Sequence, residues 1–128
     1  MSELNLPRAA DAQTADVNLA AASRDDDDEG TMFAVVEASG TLARGRKAVS
    51  AARLATGAYE VVFRRDVRKG AYLATIGLSG SAGASLPGEI TVVGRAGNDR
   101  GVFVTTHSSG GAAADLGFHL AVLGADDD

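Results

Sequence analysis

The sequence predicts an all-β fold: one antiparallel β-sandwich of about eight strands, jelly-roll or Greek-key in order, with an acidic N-terminal arm. Three observations carry this prediction. β-Branched and aromatic residues come in short runs at near-regular spacing, with Gly, Ser, Asn or Asp between them. Several of these runs alternate apolar and polar residues with a period of two, as a strand with one wet face does. No stretch between runs carries the 3.6-residue period of a crossover helix, so a parallel βαβ sheet is excluded.

Taken in order, the chain opens with residues 1–30, which hold eight acids against Arg8 and Arg24. Pro7 suits a helix N1 position, and the Ala-rich residues 7–23 predict a weak helix whose side chains are too small to stabilise it alone. Asp25, Asp26, Asp27, Asp28 and Glu29 then form a self-repelling run that ends at Gly30, and this marks the boundary of the folded part. The body is expected over 31–125, followed by an acidic tail at 126–128. The two ends together carry −9, which leaves +4 on the body within a net charge of −5.

Within the body the expected strands run from Met32 to Glu37, Thr41 to Arg44, Ala48 to Leu54, Tyr59 to Arg64, Ala71 to Leu78, Glu89 to Arg95, Val102 to His107 and Phe118 to Leu123. Tyr59, Val61 and Phe63 fall on one face of their strand and Glu60 on the other. The same alternation sets Tyr72, Ala74 and Ile76 apart from Ala71, Leu73 and Thr75, and Phe118, Leu120 and Val122 apart from His119. Turn signals at Ser39-Gly40, Thr56-Gly57, Lys69-Gly70, Asn98-Asp99 and Gly110-Gly111 support the divisions. The segment Ser79 to Gly88 is long, small and uncharged, and reads as a surface or interface loop.

Composition fits a modest core. Hydrophobic residues make up 45% and charged residues 23%, with sixteen Gly, no Trp, two Tyr and four Phe, so oligomerisation would help stability. The absence of Cys excludes a disulfide framework, a thiolate metal site and a Cys nucleophile. No apolar run is long enough to span a bilayer, and the N-terminus lacks the pattern of a signal peptide.

Several chemistries fail on their residues. Gly40 to Lys47 approaches a phosphate-binding loop, but the Lys is displaced and no Ser or Thr follows it. Asp25 to Gly30 has the early spacing of a calcium loop, yet Val36 stands where a bidentate carboxylate is required. Gly77 to Ser81 departs from a nucleophile elbow at Ser81, and only His107 and His119 exist to serve any triad. The basic residues Arg44, Arg46, Lys47, Arg53, Arg64, Arg65, Arg68 and Lys69 sit in an acidic chain with few aromatics, which favours pairing with acidic arms over nucleic acid. No catalytic, cofactor-binding or metal-ligating residue is nominated.

The segments Gly57 to Val67, Ala71 to Gly77, Pro87 to Val92 and Ala114 to Leu120 together resemble small β-rich terminal domains of actinobacterial proteins, and head domains of phage tail-fibre-like and collagen-like proteins. The resemblance covers residues 31 to 123. It implies a trimeric head at the end of a stalk or fibre, binding a surface or starting trimer assembly, and it supplies no catalytic residue. In such domains a Cys stands just before the Ala-Tyr pair and another after the last strand. Gly70 and Gly124 occupy those positions here, so both halves of the implied bridge are missing together, which fits a reducing compartment or an engineered variant.

The function expected is a non-enzymatic structural or adhesive head, a homotrimer with no cofactor. Ala71, Leu73, Thr75 and His119 are the expected subunit contact, because small or uncharged side chains let backbones approach closely. Ser79, Ser81, Ser85, Ser108, Ser109 and Asp115 lie on the loops expected to bind a cell-surface glycan or protein. A self-assembling capsid-decoration, shell or filament subunit that uses its arm is the alternative, and a monomeric sugar-binding module is another. Neither nucleic acid nor membrane is an expected partner, and a virion, particle or cytoplasmic assembly is the expected setting.

Overall fold

The computed structural model describes residues 31–125, which form eight strands and no helix. The helix expected over 7–23, the acidic run 25–29 and the tail 126–128 lie outside the described residues. The strands are β1 (Thr31–Val36), β2 (Leu42–Arg46), β3 (Ala48–Ala55), β4 (Ala58–Phe63), β5 (Ala71–Ile76), β6 (Glu89–Gly94), β7 (Gly101–His107) and β8 (Phe118–Leu123). Each expected strand is present, and the largest shift of an end is two residues, at the ends of β2 and β5. Among the described residues no helix is long and apolar enough to cross a membrane.

Two four-stranded antiparallel sheets form, in the order β2-β1-β8-β5 and β3-β4-β7-β6. β2 passes directly into β3 at one edge of the sandwich, and β5 lies along β6 at the other. Taken around that second edge the order is β8-β5-β6-β7, a Greek key in which the fourth strand returns beside the first. Three connections, β1 to β2, β3 to β4 and β6 to β7, are hairpins within one sheet. A jelly roll sends nearly every connection across the sandwich, so the wiring is of the Greek-key kind.

The corner between the sheets is Lys47, whose φ of 59° puts a non-glycine residue in the left-handed region. One left-handed residue turns the chain from β2 into β3 without a loop. Register shifts at Val35/Val36 and at both ends of the β3–β4 pair bend the strands around the core.

The inner faces close on one another as the alternation requires. Met32, Ala34 and Val36 of β1, Phe118, Leu120 and Val122 of β8, Tyr59, Val61 and Phe63 of β4, and Val102 and Val104 of β7 are all essentially fully buried. Tyr72, Ala74, Ile90 and Val92 pack on this cluster from the β5 and β6 edge. The rings of Tyr59 and Phe118 meet edge-on at 5.2 Å and 67°, which joins the two sheets and adds about 0.5–1.5 kcal/mol beyond area burial.

The connections sort onto two poles. Registers pair Val36 with Phe118, Ile76 with Phe118 and Glu89 with His107, so the segments 37–41, 56–57, 77–88 and 108–117 share one pole. Thr31 and Ala71 both pair with Leu123 at the opposite pole, so the chain enters and leaves the sandwich there.

Candidate functional site

The outer face of the first sheet collects the side chains that the core does not use. Register sets them in rows: Ala71 beside Leu123 beside Thr31, then Leu73 beside Ala121 beside Phe33 beside Arg46, then Thr75 beside His119 beside Val35 beside Arg44. The four residues expected as a subunit contact, Ala71, Leu73, Thr75 and His119, thus lie together on one face. Leu73 is 55% exposed, Leu123 41% and Phe33 36%. Between Leu73 and Phe33 the small Ala121 leaves a groove of about 550 Å³, with Ala34, Ala74 and Leu120 reached at its floor and Arg44 at its rim. The Phe33 and Ala121 half of this groove was not nominated from sequence, although Phe33 alternates with the buried Met32 and Ala34 and so must face outward.

One end of the groove is fixed by polar contacts. His119 Nε2 lies 2.9 Å from the Leu78 carbonyl oxygen, Arg44 Nη1 donates to the Ser79 carbonyl at 2.7 Å, and Ser79 Oγ donates to Glu37 Oε2 at 2.7 Å. The start of the long loop is therefore tied across β8, β2 and the β1–β2 turn. Ser79 is a strut at the loop base, not a free contact residue of the loop surface. Ser81 and Ser85 remain exposed further along. Ser109 is exposed as well, and Ser108 closes its own turn, donating its amide to Ala112 O and accepting from Gly111 N.

Asp115, expected on a recognition loop, lies exposed on the 108–117 segment and also holds the fold there. Its Oδ1 accepts from the Gly57 amide at 2.8 Å, and its Oδ2 accepts from Arg53 Nε at 2.9 Å. The Gly57 amide, then the Arg53 guanidinium, holds this carboxyl below the ordinary carboxylate range against the opposing effect of burial. Tyr59 Oη stands near the same carboxylate but gives its proton to the Ala38 carbonyl at 2.7 Å. Burial, then the Asp115 charge, pushes the Tyr59 phenol up. Gly57 itself has a φ of 68°, and a Cβ there would meet Thr106 O at 2.5 Å, so the turn that Asp115 clasps admits no side chain. Spacing along the sequence carries no sign of this clasp, because its partners are 58 and 62 residues apart.

The second sheet presents a different outer face. Arg95 Nε pairs with Glu60 Oε2 at 2.9 Å while its guanidinium carbon stands 5.8 Å from the centre of the Phe103 ring. Thr91 and Thr105 join hydroxyls across β6 and β7. Polar groups thus bridge β4, β7 and β6 over the surface.

Charge divides between the poles. Arg46, Lys47, Arg64, Arg65, Arg68, Lys69, Arg95 and Arg100 stand at or beside the pole where the chain enters and leaves, against Asp66 and Asp99. Arg68 clamps Asp66 with its guanidinium and its own amide and reaches Asp99 at 3.5 Å. The Arg68 hydrogen bonds pull the Asp66 carboxyl down to about 2. Glu37, Glu89 and Asp115 belong to the loop pole, where Arg44 and Arg53 reach Ser79 and Asp115.

Gly70 and Gly124, which stand where the resemblance has cysteines, flank the Ala71–Leu123 pair just outside β5 and β8. Gly124 has a φ of 73°, and a Cβ at Gly70 would meet Leu123 O at 2.9 Å. Among the described residues no three His, Asp or Glu side chains converge as a metal site. Comparison with protein-family models, with curated proteins and with solved structures gives no match.

Proposed function

We propose that the chain is a non-enzymatic structural head: a homotrimer that packs through the outer face of its first sheet and presents its loop pole to a cell-surface glycan or protein. The observation that carries this reading is the polarity of the body. The chain enters and leaves at one pole, and the long loops 77–88 and 108–117 stand at the other. A stalk or particle attached through the arm would then hold the loops outermost. The exposed apolar face between the poles supplies the subunit contact, since an uncovered patch of this kind marks an interaction site.

Light scattering coupled to size exclusion, on the full chain at low and high salt, tests the reading. A constant mass of three chains is the expected result, and a monomer at every concentration overturns it. A second reading, a self-assembling subunit held by its arm, is favoured by the charge polarity: eight cations gather at the pole to which the −9 of the two ends is joined. That assembly would fall apart as salt screens its ion pairs, whereas apolar packing would not.

A further inference from the structure

We infer that the groove on the outer face of the first sheet receives the Val17–Ala22 stretch of a neighbouring copy, so that subunits are joined by exchange of their N-terminal arms. This rests on the self-association reading and specifies how the contact is made.

The groove sets the chemistry of its occupant. Its walls are Leu73 and Phe33, its base is Ala121, and the one charged residue lining it is the cation Arg44. Such a site takes small branched or unbranched apolar side chains that arrive attached to acids. Residues 17–22 read Val-Asn-Leu-Ala-Ala-Ala, with Asp16 before them and Asp25 to Glu29 after them. Two bare copies of the same face are a poorer match, because stacking them would bring two Arg44 rims together with no acid among the lining residues.

Length and charge let this stretch reach a neighbour's groove. Twelve residues separate Leu19 from Thr31. At about 3.3–3.6 Å per residue they reach up to about 40 Å, enough to cross from one sandwich to the next. Asp25 to Glu29 stand just before Gly30 and Thr31 in the sequence. The same acids arrive at a pole rich in cations, which favours the crossing.

Full-length variants and a mixing experiment test the inference. Val17→Asp with Leu19→Asp alters the arm alone. Leu73→Asp alters the groove wall, at a side chain already more than half exposed, and Ala121→Arg fills the groove base should Leu73→Asp fail to fold by circular dichroism. The arm variant and the groove variant should each fall from three chains to one by light scattering. Mixed in equal amounts they should recover a mass of two chains, because one intact arm then meets one intact groove. An arm variant that keeps the mass of three chains, while the groove variant loses it, overturns arm exchange and leaves direct packing of the faces. Loss in both without recovery on mixing also overturns it. A full chain that is monomeric throughout overturns the trimer reading itself.

Discussion

The two outer faces of the sandwich are built from the same strand alternation and differ in how their outward residues pair. On the second sheet the outward positions of β4, β6 and β7 carry Glu60, Phe103, Thr91 and Thr105, which pair across strands with Arg95 or with one another, beside an exposed Val93. On the first sheet the outward positions carry Phe33, Leu73, Ala121 and Leu123, whose apolar surface has no such cover among the described residues. A strand whose inner face is committed to the core is free on its outer face, and what stands there records what the face meets. Cross-strand polar pairs suit water. Apolar ridges on either side of an alanine are the surface that the proposed assembly would cover.

The largest expected effect lies beneath both faces and should not distinguish them. Phe118→Ala removes a buried ring that touches Tyr59 across the sandwich, and should cost about 3–5 kcal/mol in urea denaturation. If the loss were below 1 kcal/mol, the two sheets would not share one core.

A sharper break between the faces comes from placing one acid on each. Leu73→Asp should take the assembled mass to that of one chain, whereas Val93→Asp, at a side chain 57% exposed on the second sheet, should leave the mass unchanged. Each should alter the stability of the single chain by no more than about 0.5 kcal/mol, as exposed substitutions do. Equal effects of the two on mass would erase the contrast.

Next in size is the clasp at the loop pole. Asp115→Ala should lower the urea denaturation midpoint, because the buried Gly57 amide loses its acceptor. Its pH dependence has a definite sign. The Asp115 carboxyl is held below its ordinary value in the folded chain, so the stability it contributes is present above the unfolded value near 3.8 and fades as pH falls through the lower folded value. Asp66, held down to about 2 by Arg68, adds a loss of the same sign between 3.8 and about 2, and its exposure makes that part sensitive to salt. Denaturation midpoints between pH 5 and 2 should therefore fall less steeply in Asp115→Asn than in the parent. The smallest effect is Arg95→Ala, which opens an ion pair that is only partly buried and should cost about 1 kcal/mol or less, with no change of mass.

Much of this contrast was legible along the chain. Alternation placed Leu73, Thr75 and His119 opposite Tyr72, Ala74, Phe118 and Leu120, and the structure keeps every one of those assignments. What alternation does not report is which strands lie side by side. The groove needs Leu73, Ala121 and Phe33 in one row, and these come from β5, β8 and β1, joined only by register. Asp115 shows the other limit. Its residue type and its loop suggest recognition, and only the return of that loop onto Gly57 and Arg53 turns it into a strut.

The amino-acid sequence by itself determined that residues 31–125 form eight strands, where each begins and ends to within two residues, and which side chains of each face inward, because turn residues and a period of two are local properties of the backbone. Tertiary structure alone decided the Greek-key wiring, the division of the body into a cationic pole and a loop pole, and the assembly of an apolar groove from three strands. Those depend on pairings between residues up to 92 positions apart, such as Thr31 with Leu123, and such pairings are settled by packing and register rather than by any local pattern.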